Sequence, residues 1–598
     1  MAKSKTTKKE KLVSALSLWR EYDPSGALDA EVLETRTDAA TGLAYTALAY
    51  NGRTVEDGTV RIFAYFARPA IGKKCPAILL LKEAGKPLDI ELMAYFVQKG
   101  YAVLMPDYSG VPTPYLDFDD ILNGVPADAE TSSVRLDHTV FPQSLAYANF
   151  KSVQGLYHVE DIPSNQTCWF EWTYAALYSL EYLKSREDVE KIGVVGIRTG
   201  GEVAWKVMLS PDVACGVPIN AAGWLSARGV ARFAEGTAVN LNDERHRYIA
   251  AVESQSYAPF VKCPVLMLCA LSDYSFDYDR AYDTYGRIGG EREDIESAIV
   301  YSPDSGSCIG AGGLADMELF LEKHLKGREI FIPAPLNITV REEGGKLRVE
   351  VVGDEEAIVE EMGVCYSESS VEVRSIYREW QCVYKQTGSK IKDGKIQCEI
   401  TPFAGAPAAF VYAYAKYLNG FKIMTKVVAK RFGERSTQNL GSRMLFSGSD
   451  LDCFSVAHHE DYSIAGIFLE KEAAPKLITG YGGIRGAYSV GGIKTYKISS
   501  PQYVAGEGAL LKFDAYTRAD DALTIFIEVA EESGEVEQYS CRVPVKGGGK
   551  WKRIILAAKD FKSATYGRPL SAFSKGSALS FHSEMEENEY AITNVLWL

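Results

Sequence analysis

The sequence predicts an α/β fold, a doubly wound and mostly parallel sheet, followed by two all-β domains: an Ig- or fibronectin-like sandwich, then a jelly roll. Three observations lead there. Between residues 55 and 330, short apolar runs such as "CPAILLL" and "CPVLMLCALSD" alternate with stretches of helical period such as "DIELMAYFVQKG". That alternation belongs to a parallel sheet covered by helices. From Pro333 the helical periods stop and hairpin signals begin. From about residue 440, Gly-rich loops separate alternating strands, the pattern of a jelly roll. At 598 residues the chain is too long for one core. The boundaries read 1–332, including an N-terminal extension, then 333–432 and 440–598.

Each element follows from its own residues. "TVRIFAYFARP", "CPAILLLKEAG" and "YAVLMPDYSG" read as strands, and "DIELMAYFVQKG" as the helix between the last two. An insert at roughly 110–165 is rich in Tyr and Phe. In "WFEWTYAALYSLEYLKS", Trp172, Ala175, Ala176, Leu180 and Leu183 recur at helical spacing. "CPVLMLCALSD" and "ESAIVYSP" are further strands, and "GLADMELFLEKHLKG" is the closing helix. In the second unit, "PAPLNITVREEGGKLRVEVV" is a hairpin turning at Gly344-Gly345, and "AAFVYAYAKYLNGFKIMTKVV" another turning at Asn419-Gly420. The polar stretch "AKRFGERSTQNLGSRM" connects to the third unit.

Composition excludes several classes. A formal net charge of −14 disfavours nucleic acid and anionic membranes as partners. No run of about 18 apolar residues exists, so no membrane span is expected. "MAKSKTTKKEKLVSALSLW" is basic, but its apolar run is short and broken by serines, which does not read as a signal peptide. The 11 cysteines are scattered without metal-ligand spacing, which points to reduced thiols in a cytoplasm and to no metal. No cofactor is implied, and no oligomeric state is set.

"KIGVVGIRTGG", residues 191–201, is a strand, a glycine-flanked turn and the start of a helix. This is the frame of a nucleophile elbow, G-x-S-x-G, with Arg198 where a nucleophile belongs. A guanidinium offers no lone pair for attack and stays protonated. The flanking Gly196, Gly200 and Gly201 let strand and helix approach closely.

Together, "GYAVLMPDYSG", "KIGVVGIRTGG", "SQSYAPFVKCPVLMLCALSD" and "FLEKHLKG" resemble, in order and spacing, the α/β-hydrolase fold, nearest the acetyl xylan esterase and dienelactone hydrolase group. The resemblance spans residues about 55–330. It implies a serine, then an acid, then a histidine. The serine position is Arg198 and the acid position Asp273. The histidine loop is "SPDSGSCIGAGG", which carries Ser307 and Cys308 instead; no histidine lies between His246 and His324, and His324 sits inside the last helix. Where similar hydrolases often have His-Gly after the strand matching "AILLL", this chain has Lys82 and Glu83. The triad is degenerate at two of three positions.

A cation at a helix N-terminus is unfavourable by ~0.3–1 kcal/mol. Inside the old cleft Arg198 therefore calls for a carboxylate, Asp273 first and Glu83 second, or for a bound anion. His138 and His158, in the aromatic insert, are either displaced bases or polar lid residues. Cys308 is either a thiol at the histidine position or a small buried hydrophobe. The last unit is similar to galactose-binding-like jelly rolls of carbohydrate-binding modules, through "LLKFDAY", "GGGKWKRIILAAKDFK" and "ITNVLWL". Trp551, Tyr481, Tyr488 and Tyr496 are its candidates for stacking on a sugar.

The resulting expectation is a catalytically degenerate α/β-hydrolase, a pseudo-esterase that binds a carbohydrate-related or small anionic ligand. The ligand candidates are Arg198, Glu83, Asp273, His138, His158 and Trp551. Two alternatives stand beside it: an active carbohydrate or small-ester esterase using non-standard residues, and a structural or interaction protein.

Overall fold

The computed structural model describes residues 14–598 apart from 71–73, 111–136, 158–161, 228–230, 234–241, 274–275, 291–294, 304, 356, 434–440, 450, 452, 531–535 and 586–587. Its first half is built on nine strands: β1 (Glu31–Thr37), β2 (Ala44–Val55), β3 (Gly58–Ala67), β4 (Cys75–Leu81), β5 (Ala102–Pro106), β6 (Val189–Ile197), β7 (Val213–Ile219), β8 (Val265–Ala270) and β9 (Ser297–Ser302). They line up as β1-β2-β3-β5-β4-β6-β7-β8-β9. The pairings from β1 to β5 are antiparallel and those from β5 through β4 to β9 parallel. Every residue of β4 is buried, as a strand covered on both faces requires. The edge strand β1, "EVLETRT", is polar and mostly exposed. It and β2 arise from the stretch expected only as an N-terminal extension.

The chain leaves β4 for β5 on one side and returns to β6 on the other. A crevice therefore opens beyond the carboxyl ends of β4 and β6, the usual place for a ligand in an open α/β sheet. Lys82 and Glu83 follow β4 and Arg198 follows β6.

Helices α1 (Ile90–Gln98), α2 (Cys168–Lys184), α3 (Thr199–Val207), α4 (Asp243–Ala251), α5 (Tyr278–Tyr285) and α6 (Ala311–Lys326) accompany the sheet. Asp89 caps α1 by accepting from the Leu92 N–H, and Thr167 caps α2 by accepting from that of Phe170. α2 is the helix its spacing predicts, and it is buried almost all round. All but two of its residues are buried, because the sheet covers one side and the N-terminal segment the other. Trp19 stacks on Phe170 there with ring centroids 5.2 Å apart.

The middle region has two antiparallel sheets. Asn337–Glu343, Lys346–Val352 and Lys395–Ile400 form one; Gln381–Thr387, Val359–Ser369, Ala408–Tyr417 and Lys422–Met424 form the other, with Val428–Arg431 also paired to Ala408–Tyr417. The first hairpin turns through Gly344 and Gly345 at φ 60° and 77°, values that need glycine and match the strand twist. This region is welded to the α/β part. Arg378 Nη1 meets Asp279 Oδ2 on α5 at 2.7 Å with both side chains fully buried. Asp316 Oδ1 on α6 accepts from the Lys422 N–H at 3.1 Å, and Tyr301 of β9 packs edge-on against Tyr412.

The C-terminal region is again mostly antiparallel sheet. One six-stranded sheet is centred on Tyr590–Trp597 and Leu510–Thr517, the other on Ala578–Ser583 and Asp521–Ala530, with a core including Phe513, Ile525, Phe581 and Ile592 between them. No described helix is long and apolar enough to cross a membrane.

Candidate functional site

The elbow is built as the glycine pattern requires. Arg198 sits at φ 47°, ψ −112°, a backbone conformation that non-glycine residues rarely hold. Its N–H donates to Ile219 O at 2.8 Å, which ties the turn to β7. A Cβ on Gly200 would lie 2.1 Å from Leu81 O, and one on Gly196 would lie 2.4 Å from Gly200 O. Nothing larger than glycine fits between β4, β6 and α3.

The Arg198 side chain turns into the crevice, where both expected carboxylates meet it. Its Nε donates to Asp273 Oδ2 at 3.0 Å and its Nη1 to Glu83 Oε2 at 2.9 Å. Burial pulls the guanidinium pKa down, but the two carboxylates outweigh it and hold the group above its ordinary value. Asn220, at φ 48° beyond β7, organises the same corner. Its Nδ2 donates to Asp273 Oδ2 and to Ser307 O, and its Oδ1 accepts from Ala270 N–H. The backbone after β4 is also engaged: the Ala84 N–H donates to Thr199 Oγ1 at 2.6 Å. Beneath it Lys82 is buried 3.9 Å from Asp107, and burial pulls its ammonium down to about 8 against the pull of Asp107 and Glu83.

The loop where the resemblance looks for a histidine receives one from elsewhere. His459, of the C-terminal region, places Nε2 in a hydrogen bond with Ser307 Oγ. A Cβ on Gly306, at φ 63°, would crowd His459 Nδ1 at 3.3 Å. The imidazole pKa is lowered: burial dominates, Arg198 and Lys494 add to it, and Glu460 and Asp273 oppose it. Its Nδ1 is buried and has no hydrogen-bond partner among the described residues. The loop itself is stitched to the C-terminal region, with Ile309 N–H donating to Ile467 O at 2.6 Å and Leu469 N–H to Ile309 O at 3.0 Å.

A polar cleft of about 350 Å³ opens here. Glu83, Lys86, Arg198, Ser272, Asp273, Gly306 and Ser307 form one wall, and Ser455–Ala457, His459, Glu460, Lys494 and Tyr496 the other. A larger concavity of about 480 Å³ lies on the three-stranded sheet of the middle region, around Arg341, Glu350 and Gln397, and shares no residue with the cleft.

The remaining candidates are placed as follows. Cys308 points away from the crevice into a small apolar cluster with Val456, Leu469 and Ala473, and burial pushes its thiol up to about 12. It is a packing residue. His138 pairs with Asp137 and does not line the cleft. His158 lies outside the described residues. Trp551 is in the C-terminal region, its Nε1 donating to Tyr481 O and its ring packed on Tyr516; it too is separate from the cleft. His324 packs on Phe320 and meets Glu296. Among the described residues no group of three or more metal-type side chains gathers.

Sequence reasoning missed His459, Glu460 and Lys494, and it named Tyr496 only as a sugar-stacking candidate of the last unit, not as part of this cleft. The "HHED" run at 458–461 is a polar cluster in a β-rich stretch, and no local spacing links it to a loop 152 residues upstream.

Strand order, antiparallel entry strands, crevice and elbow give the first half of the chain an α/β-hydrolase fold. No protein-family model matches the chain, and no curated protein matches it. Solved structures similar to it include an acetyl xylan esterase from Paenibacillus sp. R4 (16% identity, TM-score 0.38, covering 52% of this chain and 92% of that one). Acetyl xylan esterase 1 from Thermoanaerobacterium sp. JW/SL YS485 is similar at 16% identity and TM-score 0.35, over 52% and 90% of the two chains. Est1E from Butyrivibrio proteoclasticus, with ferulic acid bound, matches at 13% and 0.30, over 45% and 96%. Likenesses of this size say nothing about chemistry.

Proposed function

We propose that this chain is a catalytically degenerate α/β-hydrolase whose cleft binds a small polar, carbohydrate-related ligand without cleaving it. The observation that carries the reading is the Arg198 guanidinium at the elbow, held between Asp273 and Glu83. It supports the loss of three functions at once. The nucleophile is absent. The carboxylate at the acid position is bonded to Arg198 and Asn220 instead of orienting a base. The Ala84 N–H, which follows β4 where hydrolases of this fold stabilise an oxyanion, is engaged by the Thr199 hydroxyl. A triad acts as a unit, so these losses do not leave useful turnover.

The same reading takes residues 1–332, 333–432 and 440–598 as three domains, the second Ig-like and the third a galactose-binding-like jelly roll. It places the chain in a reducing compartment such as the cytoplasm, in keeping with 11 free cysteines.

One observation favours the active-esterase alternative: Ser307 is a hydroxyl bonded to a neutral-leaning histidine inside the cleft. Against it, among the described residues no carboxylate is hydrogen-bonded to His459 Nδ1 to orient the ring. A fluorophosphonate probe on the purified chain, read by intact mass and peptide mapping, separates the two. No adduct is expected on any serine of residues 55–330, together with no release of nitrophenol from p-nitrophenyl acetate above background. A stoichiometric adduct on Ser307 would establish the alternative. Arg198→Ser is expected to remain inactive.

A further inference from the structure

The cleft is formed by two regions of the chain, and the way its charges are matched bears on what fits. On the elbow wall, Arg198 is bonded through two of its nitrogens to Asp273 and Glu83. On the opposite wall, Lys494 donates to both oxygens of Glu528, each at 2.8 Å. Lys86 and Glu460, both exposed, stand at the rim as one charge of each sign. The inner cations are thus already matched, and a ligand bringing its own net charge has to break a pair or enter uncompensated, which is costly in a partly desolvated site.

What the cleft offers is hydrogen-bonding capacity with no uncompensated cation: Arg198 faces two carboxylates, Lys494 faces one and the rim charges cancel, so the lining is slightly anionic and disfavours an anionic ligand. Carboxylates accept only, and each oxygen holds two lone pairs. Glu83, about a quarter exposed, gives Oε2 to Arg198 and lines the cleft. Ser272, Ser307, Ser455 and Tyr496 line it with hydroxyls; each already has one protein partner, and a hydroxyl's further lone pairs can still accept. Such a lining matches a molecule that donates and accepts at many points and carries no charge.

The second wall is held rigidly in place. Glu379 of the middle region accepts from the Tyr496 N–H at 2.7 Å and from Thr495 Oγ1 at 3.2 Å. A Cβ on Gly491 would lie 2.2 Å from His458 O, so the turn leading to Lys494 is pressed against the segment carrying His459. With the Ile309 stitch and the Ser307–His459 bond, the cleft is formed before any ligand arrives, which lowers the ordering cost of binding. Its volume lies at the lower end of small-molecule sites, which run to about 300–1,000 Å³.

We propose that the ligand of this chain is an uncharged polyhydroxylated molecule, a saccharide of one or two rings, bound between the elbow wall and the His459–Tyr496 wall and not on the Trp551 surface. This rests on the cleft of the preceding reading but not on its loss of catalysis. It assigns the C-terminal region's part in recognition to Ser455, His459, Glu460 and Tyr496.

The test is calorimetric titration of the full chain with a charge-matched series, glucose, glucosamine and glucuronate, together with xylose, xylobiose and cellobiose. At least one neutral sugar is expected to bind, with glucuronate at least tenfold weaker than glucose. Glu83→Gln and His459→Ala are each expected to weaken the best neutral ligand at least tenfold, while Trp551→Ala leaves it unchanged. Glu460→Gln, an exposed change that does not threaten folding, is expected to weaken it about two- to fivefold. The proposal is overturned if no member binds, if glucuronate binds as well as glucose or better, or if Trp551→Ala abolishes binding while the cleft variants do not. Ester hydrolysis accompanied by the expected binding pattern would defeat the non-hydrolysing reading and leave the two-walled saccharide site standing.

Discussion

The two walls of the cleft are made in opposite ways. On the elbow side the charged core of the wall hangs from the ends of parallel strands: Glu83 after β4, Arg198 after β6 and Asp273 after β8, with Asn220 after β7 beside them. Their one cation is bonded by two carboxylates. On the other side, His459, Lys494 and Tyr496 arrive from a region whose own core is separate, and the side-chain bonds across the cleft, Ser307 to His459 and Ser272 to Tyr496, join hydroxyls to an imidazole and a phenol. The first wall is part of the fold; the second is docked onto it. Breaking the first should therefore cost stability, whereas altering the second should mostly change what the cleft can hold.

The largest effect expected is at Asp273. Asp273→Ala leaves Arg198 largely buried with one carboxylate fewer, and removing one partner of a buried pair costs roughly 3–5 kcal/mol. Denaturant unfolding followed by far-UV circular dichroism reads this directly. A loss below about 1 kcal/mol would mean that the guanidinium escapes to solvent, and the contrast between the walls would collapse.

The seam with the middle region provides the next test. Asp316, on α6, is buried against Lys422, and burial raises its carboxyl to about 8. The folded state thus keeps a proton that the unfolded chain has lost above pH ~4. Stability falls as pH rises between ~4 and 8, by at most about 1.4 kcal/mol per pH unit from this group. Asp316→Asn, which cannot ionise, should flatten that fall. Parallel slopes for the two proteins over pH 5–8 would show that Asp316 is ionised in the fold.

How much of this was legible in the sequence follows the same division. The elbow and its acidic partners could be read because the carboxyl ends of parallel strands in one sheet open onto one crevice: once "KIGVVGIRTGG" and "PVLMLCALSD" are parallel strands with a single strand between them, the long Arg198 side chain can reach Asp273. β1 escaped reading because an exposed edge strand buries little and carries no apolar signal. For α2 the spacing of Trp172, Ala175, Ala176, Leu180 and Leu183 gave the helix but not its burial on both sides, because periodicity cannot anticipate the N-terminal segment that covers its outer side. His459 was out of reach for a different reason. Its place is set by docking between regions, through Gly306, Ile309 and Ile467, and docking leaves no trace in local spacing.

The smallest effect expected is at His459, and it is the most discriminating. In the fold its pKa lies below the ordinary value of 6.5, so the neutral ring is favoured and Nε2 is free to accept from Ser307. The unfolded chain binds a proton near pH 6.5, and the folded chain only lower. The stability this group contributes is full above pH 6.5 and is lost as pH falls below it towards the folded pKa. His582, lowered to about 3 by burial and by the neighbouring His458, contributes an acid-side loss of the same sign. The informative quantity is therefore the difference between wild type and His459→Gln, in which the His582 contribution cancels. Above pH 7 the variant should be less stable by about 0.5–1.5 kcal/mol, the worth of one hydrogen bond. Between pH 6.5 and 5 that gap should close, because only the wild type is losing stability at this position. A gap that widens towards acid would mean that the fold binds His459 as an imidazolium, paired with Glu460 or Asp273. The docked wall would then be held by charge, as the elbow wall is, and the contrast between the two would be wrong.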